Sequence, residues 1–185
     1  MLIAFNKPFG VLSQFTPDGS PNRTLAEFNF PKNIYPLGHL DADSEGLLLL
    51  SDEPGLNTKL LDPKRQHPRI YWAQVERIPT EPALAELRRG PTIQGRKAEA
   101  CEAKLIEVNP PPRDPPIRAR KSIPTAWIEL RLIEGKNRQV RRMTASIGHP
   151  TLRLIRVQIG DFKLDLPAGA FREVTPKERG QIFSR

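Results

Sequence analysis

Short apolar segments separated by turn residues characterise the first third of the chain. Residues 2–5 and 11–15 are apolar and flank Asn6–Gly10, whose proline and glycine favour a turn, so we predict a strand on each side. Leu47–Asp52 is a compact aliphatic run that ends before Glu53–Gly55. Its length predicts a buried strand rather than a helix.

The rest of the chain mixes helix and strand patterns without a regular alternation. Thr80 is suited to cap a helix and Gly90 to end it. We predict helices over Leu56–Leu61, Thr80–Gly90, Asn137–Ile147 and Pro176–Phe183, and strands over Arg69–Glu76, Glu99–Val108, Ala126–Ile133 and Leu152–Gly160. This mixture predicts the α+β class with a mainly antiparallel sheet.

Asn109–Pro116 (NPPPRDPP) contains five prolines, which prevent regular secondary structure. A domain linker would have a similar composition, but neither flank is large enough to be an obvious separate domain. We therefore predict an ordered surface loop within a single domain, residues 1–185, arranged as two sub-lobes.

The composition excludes several classes of protein. Apolar residues make up 38% and charged residues 27% of the 185 residues, as in a folded soluble domain. The longest aliphatic run, Leu47–Leu50, is too short to span a membrane, and the first ten residues lack a signal-peptide pattern. The single cysteine, Cys101, cannot form an internal disulfide, and the three histidines show no metal-ligand spacing. We therefore expect a cytoplasmic protein.

The net charge of +8 is concentrated in one segment. Arg113–Arg156 contains 11 Lys and Arg residues against three Asp and Glu, so the rest of the chain is neutral. A solvated basic face is one explanation, but most of these cations are arginines, whose planar guanidinium matches phosphate oxygens. Aromatic residues make up only 6% of the chain. We therefore expect folded RNA, or a duplex with one exposed nucleotide, rather than a long single strand, as the partner.

An acidic loop precedes the aliphatic run. Gly38–Gly46 (GHLDADSEG) borders a predicted buried strand, and a rigid sheet edge gives a site geometric precision. Positions 1, 3, 5, 6 and 12 of a calcium-binding loop are also matched, by Asp41, Asp43, Glu45, Gly46 and Asp52. Tyr35–Gly38 is a poor incoming helix, however, and the twelfth position is not the expected glutamate. A purely structural turn is the third alternative.

Two further segments carry side chains suited to a nucleotide. In Glu134–Met143 (EGKNRQVRRM), an ordinary amphipathic helix would explain an apolar face formed by Val140 and Met143. It does not explain three arginines within five positions, which are Arg138, Arg141 and Arg142. Tyr71, in the predicted strand, either packs in the core or stacks on a base.

Together these segments resemble the small-subunit-type (RsuA) family of pseudouridine synthases. The matching blocks are Asn6–Gly10, GHLDADSEGLLLLSD (38–52), YWAQVE (71–76) and EGKNRQVRRM with LRLIRVQIG (134–160), and the likeness runs from residue 3 to about residue 173. Asp114–Thr125 (DPPIRARKSIPT) is similar to members that modify large-subunit (23S) ribosomal RNA. The start of the likeness at Ile3 also leads us to expect no N-terminal S4 RNA-binding domain.

The resemblance implies a pseudouridine synthase fold, with a mixed sheet flanked by helices around a central catalytic cleft. It implies catalytic roles for Asp41, Tyr71 and Arg141: the aspartate acts beside the ribose, the arginine keeps it ionised, and the tyrosine stacks on the flipped uracil. RNA contacts are implied for His39, Arg118, Arg120, Lys121, Lys136, Arg138 and Arg142. No metal or organic cofactor is implied.

The expected partner is large-subunit ribosomal RNA, bound by a monomer with no membrane contact. His39 departs from the family pattern, which has arginine two residues before the aspartate, and imidazole is not reliably charged at neutral pH. Two alternatives stay open. One is a non-catalytic RNA-binding or ribosome-assembly factor on the same fold, which would not need the carboxylate of Asp41. The other is the same reaction on another RNA.

Overall fold

A computed structural model of the chain describes residues 1–118 and 120–183, so Ala119 of the DPPIRARKSIPT block lies outside the described residues. The strands are β1 (Leu2–Lys7), β2 (Tyr35–Leu37), β3 (Glu45–Ser51), β4 (Arg69–Glu76), β5 (Thr92–Ile93), β6 (Arg96–Lys97), β7 (Glu102–Ile106), β8 (Thr125–Leu132), β9 (Thr151–Ile159), β10 (Phe162–Lys163) and β11 (Phe171–Glu173). The α-helices are α1 (Leu56–Leu61), α2 (Glu81–Arg89), α3 (Gln139–Ser146) and α4 (Pro176–Phe183). Two 3-10 helices span Leu25–Phe28 and Pro63–Arg65.

These elements form two compact units. The first unit contains Met1–His67 together with the described residues from Arg156 onward, and the second contains Pro68–Ile155. Strand β9 therefore begins in the second unit and ends in the first.

In the first unit, strand β3 is the centre of an antiparallel sheet. It pairs with the whole of β1, from Leu2 opposite Ser51 to Lys7 opposite Gly46. β1 also pairs with β11, and β2 pairs with the second half of β3. All seven residues of β3 are buried, which explains why the strand reads as a continuous aliphatic run rather than an alternating one.

Gly46, the second residue of β3, permits a close approach between two backbones. Its φ is +106°, and a Cβ at this position would clash with the backbone of Arg156. An L-residue with a side chain would therefore meet both a steric and a conformational penalty there. The buried side chain of Arg156 donates from Nε to the carbonyl of Leu47, 2.8 Å away.

A cluster of phenylalanines packs the segment that follows β1. The ring of Phe5 in β1 meets Phe28 and Phe30 edge to face, at centroid distances of 4.8 and 5.0 Å. Phe30 also contacts Phe15 and Phe171. Such aromatic contacts stabilise a segment that has little regular secondary structure of its own.

In the second unit, two helices pack on one face of an antiparallel sheet. Strand β8 pairs with β4 on one side and with β7 on the other. Helix α2 is capped by Thr80, whose hydroxyl accepts from the backbone of Ala83 (3.4 Å). The core of this unit comes from β4, β7, β8, α2 and α3; it includes Ala73, Ala103, Leu130, Leu87 and Met143.

The predicted α+β class is confirmed, and so is the mainly antiparallel pairing within a mixed sheet. Residues 11–15 are not a strand, because only Val11 forms an isolated bridge, to Arg23. The predicted strand over Glu99–Val108 is limited to β7, and the predicted helix over Asn137–Ile147 begins at Gln139 because Arg138 has a left-handed φ of 50°. None of the described helices has the length and apolar composition of a membrane-spanning segment.

The proline-rich segment 109–116 has no helix or strand, as predicted. It is nevertheless held in place. Arg153, a buried residue of β9, donates to the carbonyl of Pro111 at 2.9 Å. Within the loop, Arg113 donates to the carbonyls of Pro115 and Pro116. The loop is therefore ordered by guanidinium-to-carbonyl bonds, which compensate for the backbone donors that proline lacks.

Candidate active site

Asp41 lies in a loop that joins two paired strands of the first unit. This Asp41 loop, residues 38–44, begins after β2 and ends where β3 starts. The Asp41 side chain is 24% exposed, so a substrate can reach its carboxylate while most of its surface contacts protein.

Hydrogen bonds from other segments fix the backbone of the Asp41 loop. The amide of Gly38 donates to Oδ1 of Asn57 in α1 (2.8 Å), and the carbonyl of Ala42 accepts from Gly10 (2.7 Å). The amide of Ser44 donates to the carbonyl of Asp41 itself (3.0 Å), which closes a turn. The loop is therefore anchored on both sides of the aspartate.

His39 is close to Asp41. Its Nε2 lies 3.7 Å from Oδ1 of Asp41, and its side chain is 60% exposed. The imidazole is thus placed to contact an incoming ligand and the carboxylate together. A protonated imidazole would add a positive charge at this point, which a neutral imidazole does not.

Lys7 is a buried residue close to the Asp41 loop that the sequence analysis does not single out. Its side chain is fully buried, and Nζ donates to the carbonyls of Val11 (2.7 Å) and Pro8 (3.0 Å). Burial lowers the pKa of Lys7 to about 7, although the nearby carboxylates, chiefly Glu45 and Asp43, act in the opposite direction. A lysine at the end of a mostly apolar strand, just before a Pro-x-Gly turn, was the available signal.

Tyr71 and Trp72 occupy opposite faces of β4. Tyr71 is half-buried and packs against the core cluster that contains Met143 of α3. Trp72 points to the other face, where its indole Nε1 donates to Glu129 (3.0 Å). Of the two aromatic residues, Tyr71 is therefore the one on the same face as the arginine-rich helix.

Helix α3 carries Arg141 between two residues that anchor it. Val140 and Met143 are buried in the core of the second unit, while Arg141 is half-buried and donates to the carbonyl of Thr151 at 3.4 Å. Arg142 donates to Oδ1 of Asn137 (2.9 Å). The predicted apolar face of this helix is confirmed, and the arginines lie off it.

The other residues predicted to contact RNA carry their charges at the surface of the second unit. Arg118, Arg120 and Lys121 are exposed between β7 and β8, and Lys136 and Arg138 are exposed before α3. Arg120 lies 3.9 Å from a carboxylate oxygen of Glu76. The five side chains are accessible to a polyanion, and their contact with RNA stays a prediction.

The calcium-loop alternative for the acidic segment is wrong. Residues 45–51 form the extended strand β3, so Asp41 and Asp52 lie at its opposite ends, about 20 Å apart at 3.3 Å per residue. A twelve-residue calcium loop must instead close around one ion. Within the described residues, His, Cys, Asp and Glu nowhere form a group of three or more placed to hold a metal.

The lowered pKa of Lys7 predicts a specific dependence of stability on pH. The unfolded chain keeps a proton on Lys7 up to about its ordinary pKa of 10.5, whereas the folded protein loses that proton near 7. Between these values the unfolded state binds more protons, so folding becomes more favourable as the pH rises, by at most about 1.4 kcal/mol per pH unit. Urea unfolding from pH 7 to 10 should show wild type gaining stability relative to Lys7→Met.

The exposed Lys163 of β10 provides the control. Lys163→Met removes a lysine in contact with water, and we expect its difference from wild type to stay constant over the same pH range. A constant difference for Lys7→Met as well would show that Lys7 is protonated in the folded protein up to pH 10.

Comparison with known proteins identifies the family. The sequence model described as RNA pseudouridylate synthase matches residues 1–146. The ribosomal large subunit pseudouridine synthase E of Xanthomonas axonopodis pv. citri (strain 306) is 49% identical over 184 residues, 97% of each chain. The ribosomal large subunit pseudouridine synthase B of Bacillus subtilis (strain 168) is 37% identical over 93% of this chain and 67% of its own. A crystal structure of a pseudouridylate synthase, 25% identical, aligns with a TM-score of 0.78 over 98% of this chain and 73% of that one. The chain therefore belongs to the RNA pseudouridylate synthase family.

Proposed function

We propose that this protein converts a specific uridine of large-subunit (23S) ribosomal RNA to pseudouridine. The observation that carries the proposal is the 49% identity, over 97% of both chains, with a ribosomal large subunit pseudouridine synthase E. Identity falls to 37% for the B-type relative, whose own length is only two-thirds covered. The protein acts as a monomer in the cytoplasm, where ribosomal RNA is available to it.

The reaction is an isomerisation with no net gain or loss of atoms. The bond between N1 of uracil and C1′ of ribose breaks, the base turns, and a bond forms between C5 and C1′. The hydrogen on C5 leaves as a proton, and N1 receives one. The carboxylate of Asp41 attacks C1′, adds to C6 of the ring, or removes the 2′ proton; the anchored loop supports each of the three routes.

Arg141 is proposed to pair with Asp41 during catalysis. Closing RNA over a carboxylate removes water and favours its protonated form, whereas an adjacent guanidinium favours the charged form. The packing of Val140 and Met143 in the core supports this role, because it limits the movement of the helix that carries Arg141. A well-positioned guanidinium can act on the carboxylate without first being ordered by the substrate.

Tyr71 is proposed to stack on the target base after it has left the RNA helix. Extracting a base costs a few kcal/mol, and stacking on an aromatic ring offsets part of that cost. Exposed cations at Arg118, Arg120, Lys121, Lys136 and Arg138 offset more of it through phosphate contacts. In this proposal the exposed cations provide affinity for RNA, and Asp41 carries out the reaction.

Replacement of Asp41 tests the function directly. Asp41→Asn keeps the size of the side chain and removes its charge, so we expect no detectable pseudouridine while RNA binding is retained. Unmodified large-subunit RNA would be incubated with each protein, and pseudouridine mapped by carbodiimide-blocked primer extension. A new stop that appears only with wild type is the expected result.

Two results of that experiment would contradict the proposal. Equal binding without modification by either protein would favour the RNA-binding or assembly factor. Modification of small-subunit RNA in a parallel reaction, with large-subunit RNA unchanged, would show that the enzyme acts on another RNA.

Arg141→Ala should separate chemistry from binding. We expect the single-turnover rate to fall by about 100-fold or more, while the dissociation constant for RNA changes by less than about threefold, because the proposed partner of Arg141 is the carboxylate. The neighbouring Arg142→Ala is the matched comparison and should mainly weaken binding. If Arg141→Ala lowered affinity and turnover to the same extent, Arg141 would be a phosphate contact.

His39 is expected to contribute to RNA binding beside Asp41. A guanidinium is charged at every relevant pH and matches phosphate oxygens, so His39→Arg should lower the dissociation constant for RNA about three- to tenfold. Filter binding measures this. An unchanged or higher dissociation constant would contradict an RNA contact at this position.

A further inference from the structure

The buried hydroxyl of Ser13 makes two hydrogen bonds to the residue that precedes Asp41. Ser13 Oγ donates to the carbonyl of Leu40 at 2.7 Å and accepts from the amide of Leu40 at 3.0 Å. Both residues are only 5% exposed. One side chain therefore satisfies both main-chain polar groups of Leu40.

The main-chain groups of Leu40 need a side-chain partner because neither a neighbouring strand nor water is available to them. The Asp41 loop lies between β2 and β3, so Leu40 takes part in no strand ladder, and burial separates it from water. A buried main-chain donor or acceptor that is left without a partner carries an energetic cost, because it has given up its hydrogen bond to water. The hydroxyl of Ser13 removes that cost at two groups.

The bond to the Leu40 carbonyl acts directly on the orientation of Asp41. The carbonyl of Leu40 and the amide nitrogen of Asp41 belong to the same planar peptide unit. Fixing the oxygen of that unit limits rotation on both sides of it, and this rotation sets the direction in which the Asp41 side chain leaves the backbone.

The segment that carries Ser13 is itself held firmly. Within residues 10–13, Gly10 accepts from the amide of Arg23 and Leu12 donates to the carbonyl of Arg23, at 2.9 and 2.8 Å. Lys7 Nζ binds the carbonyl of Val11 in the same segment. The hydrogen bonds of Ser13 therefore connect the Asp41 loop to a segment that is itself held in place.

The same segment also holds the other side of the aspartate. Gly10 donates to the carbonyl of Ala42, the residue after Asp41 (2.7 Å). Asp41 is thus enclosed by Gly10 at one neighbour and by Ser13 at the other. Of these two contacts, only the one from Ser13 uses a side chain, so it can be removed by substitution without changing the backbone.

We propose that Ser13 is a positioning residue, which sets the orientation of the Asp41 carboxylate through its two hydrogen bonds to Leu40. The proposal rests on the proposed catalytic role of Asp41. Loss of the hydroxyl lets the Leu40–Asp41 peptide rotate, and a misplacement of about 1 Å in a reacting group can cost about 100-fold in rate.

Ser51 provides a matched control. It is also buried, and its hydroxyl also makes one donated and one accepted bond to the backbone, to the carbonyl of Met1 (2.6 Å) and from the amide of Glu53 (3.1 Å). Ser51 is at the end of β3 that lies away from the Asp41 loop. Ser51→Ala and Ser13→Ala therefore remove the same kind of interaction from two different places.

The experiment measures single-turnover release of tritium from large-subunit RNA labelled at C5 of uridine, together with RNA affinity and melting temperature. Both alanine variants should melt a few degrees lower than wild type. Only Ser13→Ala should slow the chemical step, by about 10- to 100-fold, with RNA affinity within about twofold of wild type. Ser13→Cys, which keeps the size and a weaker hydrogen-bonding group, should have an intermediate rate.

Several outcomes would overturn the proposal. If Ser13→Ala turned over as fast as Ser51→Ala, Ser13 would be a structural residue only, and the role of Asp41 would be unaffected. If Ser13→Ala failed to fold, Ser13→Cys would carry the test, and a wild-type rate for that variant would overturn the positioning role. A wild-type protein that releases no tritium would instead contradict the proposed function itself.

Discussion

The loop that carries Asp41 is fixed by hydrogen bonds from other segments, although its own residues form no strand or helix. Its main-chain groups are satisfied from outside, by Ser13 at Leu40, Gly10 at Ala42 and Asn57 at Gly38. Each of these bonds places a point of the loop relative to α1 or to the segment after β1. Together they give the aspartate the rigidity that it would have on a regular element, while its side chain stays accessible.

Lys7 contributes to the same arrangement at an energetic cost. Its ammonium group is fully buried and binds two carbonyls of the turn that follows β1. Burying a charged group is unfavourable unless it is paired or hydrogen-bonded, and the lowering of its pKa to about 7 reflects this. The nearby carboxylates of Glu45 and Asp43 offset part of this cost, because they favour the charged form of Lys7.

The sequence predicts the regular elements well and the irregular connections poorly. Arg69–Glu76 has the predicted bounds and Thr80 caps α2 as predicted, because β-favouring residues and caps report on local structure. Residues 11–15 read as a strand, but they form one bridge and otherwise bind loops. Short strands such as β2 and β11 were missed, because their pairing with β3 and β1 depends on residues distant in sequence.

In the candidate site, too, local sequence predicts some residues, while the roles of others depend on contacts between distant parts of the chain. Asp41, Tyr71 and Arg141 come from motifs, whereas the residues that hold the Asp41 loop in place, Ser13 and Asn57, carry no local pattern that marks them. Their roles depend on contacts across 27 and 19 residues of sequence. A hydroxyl or an amide is common on any surface, so only the fold shows which one meets a buried backbone group.

The register of β4 decides which of its two aromatic residues lies on the face that packs against α3. Tyr71 lies opposite Leu130, which is fully buried, and Trp72 lies opposite Glu129. Because side chains alternate across a strand, a slip of one residue would exchange the two faces and turn Tyr71 away from α3. Leu130 and Ile128 bury the face of β8 that meets Tyr71 and Ala73. The core of the second unit therefore fixes the register, and with it the face on which Tyr71 lies.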